Sequence, residues 1–486
     1  MKNSFFRAVA LIFVLALVVS LASSLGAKPP CVREIASGTQ FSSSPRTAMT
    51  INSTLKWARI FGNFFAGAAG KEFSNGLCIV PTGDGGIVVG GVADLAPSSP
   101  DPDDRMDALV MEVRPSGMVV WEVLFESDPA KECDNWIQDL IRTRDGGYLA
   151  VGSVSKRIDL SHRALAMKLD HGGGVQWMKS YAQSDHVLFA ADTVIELRDG
   201  EYLVVSGTGA GGVLFFGLDS SGNIVWFKNL AISISSVKAT ADGGFVAAGS
   251  SDDGQAQLLK FDGTGDIVWR RSYQNDPVWN CGDYISWAYL VCPTADGGYA
   301  LAGSTFGCYM DKAVCWVCTL DQTGQIIRHK GFDFVYPRVL LPTKDGGFLV
   351  GDIQRMLKLS PALEVQWQRG YPDIYIYSAF QADDGGFLLS GYMQRLEDTG
   401  GRVTMLCLDR KGMIGTSCPW VIDSNIAERE SIVSIITSPP IQTLRTSLTA
   451  RTLKYYAYPR TCDVETLCVF GQMPPRRPVS GRHPER

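Results

Sequence analysis

From about residue 55 to residue 415 the chain runs in short stretches in which apolar and polar residues alternate, separated by glycine-rich turns. A period of two predicts β-strands. The turns repeat one pattern: Thr82-Gly-Asp-Gly-Gly-Ile, Thr143-Arg-Asp-Gly-Gly-Tyr, Leu197-Arg-Asp-Gly-Glu-Tyr, Thr240-Ala-Asp-Gly-Gly-Phe, Thr294-Ala-Asp-Gly-Gly-Tyr, Thr343-Lys-Asp-Gly-Gly-Phe and Ala382-Asp-Asp-Gly-Gly-Phe. Their aspartates (84, 145, 199, 242, 296, 345 and 384) recur at a mean spacing of 50 residues. That period belongs to propellers and solenoids.

Alternation on both sides of each Asp-Gly, as in Val237-x-Ala239 before and Phe245-Val-Ala-Ala-Gly249 after, predicts a hairpin between a first and a second strand. A second tight turn follows in each repeat, written Lys168-Leu-Asp, Gly217-Leu-Asp-Ser-Ser-Gly, Lys260-Phe-Asp-Gly-Thr-Gly, Thr319-Leu-Asp-Gln-Thr-Gly and Cys407-Leu-Asp-Arg-Lys-Gly. After it comes an alternation ending in tryptophan: Trp121, Trp177, Trp226, Trp269 and Trp367. Each repeat therefore predicts four antiparallel strands. Such a sheet is apolar on both faces and needs neighbours, which a radial array provides. The prediction is an all-β, seven-bladed β-propeller of four-stranded blades, with the tryptophans packing between blades rather than stacking on a ligand. The last repeat ends in Gly412-Met-Ile-Gly without a tryptophan, while an extra strand, Leu55-Lys-Trp57-Ala-Arg-Ile, precedes the first. This N-terminal strand is expected to close the ring within the blade of Asp384.

The motif Asp-Gly-Gly-Tyr/Phe-x-x-x-Gly followed by Leu-Asp-x-x-Gly-x-x-x-Trp resembles secreted prokaryotic β-propellers with Asp-Gly-Gly repeats, which have no assigned function. Its second half is distantly similar to the tryptophan-docking repeats of quinoprotein-like propellers. The resemblance covers about 55–415 and departs at Arg328, where tryptophan is expected, and at Lys358-Leu-Ser-Pro-Ala-Leu, which lacks the Asp and Gly. Quinoprotein dehydrogenases carry a vicinal cysteine pair; no two cysteines are adjacent here, so no cofactor is expected. A sialidase-like box begins at Ser250-x-Asp252-x-Gly254 and fails in the following Gln-Ala-Gln-Leu.

Lys2 and Arg7 followed by the apolar run from Ala8 to Ala27 predict a signal peptide, or a membrane anchor if it is not cleaved. The membrane is then touched only through this segment, and the protein is secreted or lies at the cell surface or in the periplasm. Residues 28–54 are expected to be a linker, 55–418 the propeller, 419–472 a small β-rich C-terminal appendage, and 473–486 a disordered basic tail. Outside the cytosol the twelve cysteines can pair. Cys308 with Cys315, flanking a short hairpin loop, and Cys462 with Cys468 are the bridges expected first. A metal reading of Cys315-Trp-Val-Cys318 has no support, because residues three apart on a strand point to opposite faces and no histidine lies nearby.

With 45 Lys+Arg against 50 Asp+Glu the chain has no basic excess, which excludes nucleic acid as a partner. Five scattered histidines suggest no catalytic triad, and Asp101, Asp103, Asp104 and Asp107 read as a solvated acidic loop rather than a calcium loop. No metal is expected. Strand topology puts both tight turns of every repeat on one face and the connections of variable length on the other: 93–107, 126–136, 182–190, 274–287, 304–314 and 392–402. The 274–287 connection holds Trp279, Tyr284 and Trp287, the expected ligand-binding residues for a protein or carbohydrate partner. The functional expectation is a non-catalytic binding or scaffold propeller. The alternative is an extracellular carbohydrate-active enzyme working at the central channel.

Overall fold

The computed structural model describes residues 57–62 and 74–469, apart from 95–105, 127–132, 157–161, 184–187, 199, 209–211, 252, 276–283, 308–311, 395–400, 416–417, 430–432, 437–442, 445–447, 453–455 and 460–462. The segments read as signal, linker and basic tail lie outside the described residues, as do Asp101, Asp103 and Asp104. Asp107 is not part of a solvated loop; it is buried in a strand opposite Ala93.

Every described element is a strand, and the strands form seven antiparallel sheets. Strand β1 (Trp57–Gly62) is followed by blade 1 (β2–β5, 74–126), blade 2 (β6–β9, 133–183), blade 3 (β10–β13, 188–230), blade 4 (β14–β17, 233–275), blade 5 (β18–β21, 284–332), blade 6 (β22–β25, 339–370) and blade 7 (β26–β28, 374–408). Strand β1 pairs with β28 (Gly401–Leu408) through Trp57↔Cys407 to Phe61↔Val403 and supplies the fourth strand of blade 7. The first strands of successive blades lie against one another all round the ring, and β26 (Ile374–Gln381) returns to β2 (Ser74–Pro81). The chain forms a seven-bladed β-propeller closed by its N-terminal strand.

The repeat motif explains the ring's joints. In the second turn of five repeats the aspartate carboxylate accepts the N–H groups two and four residues on, as Asp219 does from Ser221 (2.9 Å) and Asn223 (2.8 Å). The glycine of that turn has positive φ and lies under the tryptophan of the preceding blade. A Cβ at Gly222 would stand 2.8 Å from the Trp177 ring, and one at Gly412 would stand 2.8 Å from Trp367. The indole N–H groups of Trp177 and Trp367 donate to the carbonyls of Ser220 and Arg410 in the same turns, both at 2.9 Å. Four residues further along, Tyr181 and Tyr371 donate their hydroxyls to the carbonyls of Gly222 and Gly412.

The two departures from the repeat turn out to be the two sides of one such joint. In blade 6, Ser360 takes the aspartate's place, accepting from Ala362 and Glu364, and Leu363 adopts φ 64° where glycine stands elsewhere. A tryptophan from blade 5 would have no room over that side chain, and Arg328 occupies the position instead. The first turns are clasped differently: third-strand Lys168, Lys260 and Lys358, all buried, reach Asp145, Asp242 and Asp345 at 2.8, 2.9 and 2.8 Å.

Residues 419–472 are β-rich as expected, but they form no separate appendage. Strands β29 (Ile422–Asp423), β30 (Glu428–Arg429), β31 (Val433–Ile436), β32 (Thr443–Leu444), β33 (Leu448–Thr452), β34 (Tyr456–Pro459) and β35 (Asp463–Val469) add in turn to the outer edges of blades 6, 5, 4, 3, 2, 1 and 7. The C-terminal chain thus runs backwards once around the ring and gives each blade a fifth strand. Side chains hold this belt as well as ladders: Ile426 and Val433 are buried in the cores of neighbouring blades, and Lys330 pairs with Glu428 at 2.8 Å. An outer edge with a row of unpaired backbone groups is a site for unwanted pairing, and the belt covers part of every one.

Candidate functional site

The first strand of each blade borders the ring's axis, and six of the seven carry a bulge five residues before the first residue of the turn motif. At a bulge one residue drops out of the ladder and its side chain is re-aimed. The skipped residues are Leu77, Gln138, Asp192, Ser235, Tyr289 and Tyr377; in blade 6 the equivalent position is Arg338, whose N–H bonds Gly351 beside the Val339–Gly351 pair. None of the seven is buried, so this layer faces the channel.

The last glycine of the Asp-Gly-Gly-x-x-x-x-Gly motif makes the bulge possible. A Cβ at Gly391 would lie 1.7 Å from the carbonyl oxygen of Tyr375, and at Gly249 1.9 Å from that of Ser233. The two backbones approach so closely only because the bulge pushes the first strand over the second.

The channel layer is uneven. Blades 5 to 7 form an aromatic arc on the side from which the first strands enter, which is the loop-rich face. Trp287, two residues before the bulge of β18 (Tyr284–Pro293), meets Tyr289 edge-on at 6.3 Å and Phe306 at 5.2 Å. Tyr336 contacts both Tyr289 (5.9 Å) and Phe306 (5.5 Å) from a backbone at φ 60°. In blade 7, Tyr375, Tyr392 and Tyr377 are near-parallel, with Tyr392 4.7 Å from Tyr375 and 6.0 Å from Tyr377. Arg338 stands between the two groups. Burial pushes the phenol pKa values of Tyr289, Tyr336 and Tyr377 up, and the guanidinium of Arg338 opposes the rise at all three. Above Arg338 the connection from β23 (Phe348–Gly351) to β24 (Arg355–Leu359) is only Asp352–Gln354, so blade 6 raises no long loop over it.

Across the ring the acids sit in blades 2 and 3. Asp139 is held in place by two backbone amides, accepting from Leu140 and from Val194 of the next blade, both at 2.9 Å; burial raises its pKa. Ser236 of blade 4 accepts from Val291 of blade 5 in the same way. Asp192 is different. It is exposed to channel solvent yet ringed by protein, and this desolvation lifts its carboxyl to about 6 against a single N–H from Gly207 at 3.1 Å.

Of the expected binding residues, Trp287 belongs to the arc and is half-buried. Tyr284 opens β18, and Trp279 lies outside the described residues. Sequence reading missed Tyr289, Tyr336, Arg338, Tyr375, Tyr377, Tyr392 and Asp192. A signal for four of these was present, because aligning the repeats on their turns puts Asp192, Tyr289, Arg338 and Tyr377 at one position whose chemistry changes from blade to blade.

The expected Cys308–Cys315 bridge is not formed. Cys315 is a buried free thiol opposite Ser304, three pairs back from the Gly307–Lys312 end of its hairpin, too far along the ladder for a loop residue to reach. Cys308 and Cys462 lie outside the described residues, and Cys468 is placed only as the partner of Ala58 in the β1–β35 ladder. Cys418, buried near Ile414 and Val421, is disulfide-bonded. Cys315 and Cys318 pack into the cores on opposite sides of blade 5, as their spacing predicts.

No protein-family model matches the chain, and no curated protein matches it. Among solved structures the chain is similar to BamB from Moraxella catarrhalis (14% identity, 68% of this chain and 96% of that one, TM-score 0.37). It is also similar to a Penicillium chrysogenum α-L-arabinanase complexed with arabinobiose (11% identity, 73% and 99%, TM-score 0.40) and to the polysaccharide lyase Uly1 (10% identity, 69% and 90%, TM-score 0.38). Similarity at this level is a distant one between propellers and carries nothing about activity.

Proposed function

We propose that the protein is an extracytoplasmic, non-catalytic binding propeller that takes its ligand at the loop-rich mouth of the central channel. The observation that supports this most is the arc of half-buried aromatic rings around the exposed Arg338. Exposed aromatic surface beside a lone cation suits recognition, because rings give contact area at small entropic cost and the cation adds direction. The charged N-terminal start and the apolar run to Ala27 support secretion or surface attachment, and the disulfide-bonded Cys418 is in keeping with an oxidising compartment.

A second reading, a carbohydrate-active enzyme, is favoured by Asp192, whose carboxyl at about 6 sits in the range of a general acid. The two readings separate on purified protein. Replacing Trp287 and Tyr377 together with Ala is expected to weaken ligand capture while leaving the unfolding midpoint nearly unchanged, and Asp192→Asn is expected to leave capture intact. Release of reducing ends that stops with Asp192→Asn would replace the binding reading with the enzymatic one.

A further inference from the structure

The Arg338 arc selects for charge as well as shape. Four other basic side chains of this half of the ring are engaged: Arg355 with Asp352 at 2.6 Å, Arg369 with Asp423 at 2.9 Å, Lys330 with Glu364 at 3.0 Å and Lys344 with Asp383 at 2.7 Å. The guanidinium of Arg338 makes no hydrogen bond or ion pair with any described residue; its backbone N–H alone is bonded. Beside it the hydroxyl of Tyr289 is buried and has no partner among the described residues. A free guanidinium is a fork of donors matched to carboxylate or sulfate. Here the fork lies within electrostatic reach of Tyr289 and Tyr336 on one side and Tyr377 on the other, and the phenol of Tyr289 has no partner among the described residues.

A ligand of the arc must bring an anion to Arg338, apolar faces to the tyrosines, and a hydrogen-bonding group to the phenol of Tyr289. A pyranose that bears a carboxylate has all three, with one hydrophobic face of C–H groups and an edge of oxygens.

We propose that the arc binds acidic saccharides, with a uronate carboxylate on Arg338 and the sugar ring against the Tyr377 and Tyr289 side of the cluster. This rests on the reading of the channel mouth as a binding site and names the ligand class for it.

The test uses the full-length protein and a panel of uronate oligomers (galacturonate, glucuronate-containing and mannuronate/guluronate chains), each paired with its carboxyl-reduced neutral counterpart. Affinities are measured by calorimetry at two salt concentrations. At least one acidic member is expected to bind, at least about tenfold more tightly than its neutral counterpart and more weakly at high salt. Arg338→Gln is expected to remove that preference and Arg338→Lys to restore part of it, with the unfolding midpoint of both variants unchanged. Equal binding of acidic and neutral members, or a preference untouched by Arg338→Gln, overturns the inference and leaves the binding reading standing. Binding of a protein ligand with no affinity for any acidic saccharide overturns it too. Turnover of a bound uronate chain, with Arg338→Gln raising KM and leaving kcat, overturns the non-catalytic reading and supports the inference.

Discussion

Gly391→Ala separates the geometry of the bulge from ordinary turn strain. The added Cβ would stand 1.7 Å from the Tyr375 carbonyl oxygen, 2.7 Å from its carbon and 3.0 Å from the Ile376 Cα. All three are backbone atoms, so no flexible side chain can yield, and the first strand of blade 7 must retreat by more than 1 Å or lose its bulge. Overpacking of this kind costs about 1–3 kcal/mol, and with a ladder hydrogen bond of about 1 kcal/mol disturbed as well we expect about 3 kcal/mol. If the bulge straightens, Tyr377 enters the ladder and turns away from the axis, because a one-residue slip exchanges the faces of a strand. The control is Gly297→Ala, at φ 85° with nothing within 4 Å. It should cost about 1–2 kcal/mol from the left-handed backbone alone and leave the channel as it was. Denaturant unfolding gives the two costs, and capture of the ligand reports the site. Gly391→Ala is expected to be the more destabilising and to weaken capture about tenfold, the equivalent of about 1.4 kcal/mol. Equal costs in the two variants, or full binding by Gly391→Ala, would refute the argument that this glycine exists to aim Tyr377.

Two further predictions concern the belt and the pH response. Deleting 419–486 removes the fifth strand of every blade and buried Ile426 and Val433, so the truncated ring is expected to unfold more easily and to self-associate as concentration rises; a monomer by light scattering with unchanged stability would remove the belt's role. Asp145 and Asp242 are slightly desolvated, which works against their charge, but their lysine, threonine and amide partners hold both carboxyls down at about 2. Unfolded aspartate titrates near 3.9, so these clasps act in full above about pH 4 and are lost as pH falls through about 2. Asp192 runs the other way: lifted to about 6, it favours the folded state while protonated, and that contribution disappears as pH rises through about 6. Asp192→Asn is therefore expected to raise the unfolding midpoint at pH 7 and leave it nearly unchanged at about pH 3.5. A shift of equal size at both would place the effect elsewhere.

The architecture was legible because it is dictated locally and repeated. Asp-Gly turns, the Leu-Asp-x-x-Gly turns and the period-two strands each specify a short-range geometry, and sheets apolar on both faces leave stacking in a ring as their way out of water. Even the closing strand could be read, from the surplus Trp57 strand and the defective Gly412 one. The irregularities carried information that needed the fold: Arg328 and Leu363 are separate oddities along the chain and a single joint in space. The belt was hidden because its strands are two to seven residues long and pair with edges far away in sequence, so no local period marks them. The Cys308–Cys315 expectation failed on register, since closeness in sequence across a hairpin does not make two residues partners. The channel site was hidden most deeply. Tyr289, Arg338 and Tyr377 are unremarkable along the chain, and their convergence depends on two bulges and the residue just ahead of the first strand of blade 6 aiming side chains from three blades at one axis, which only closure of the ring creates.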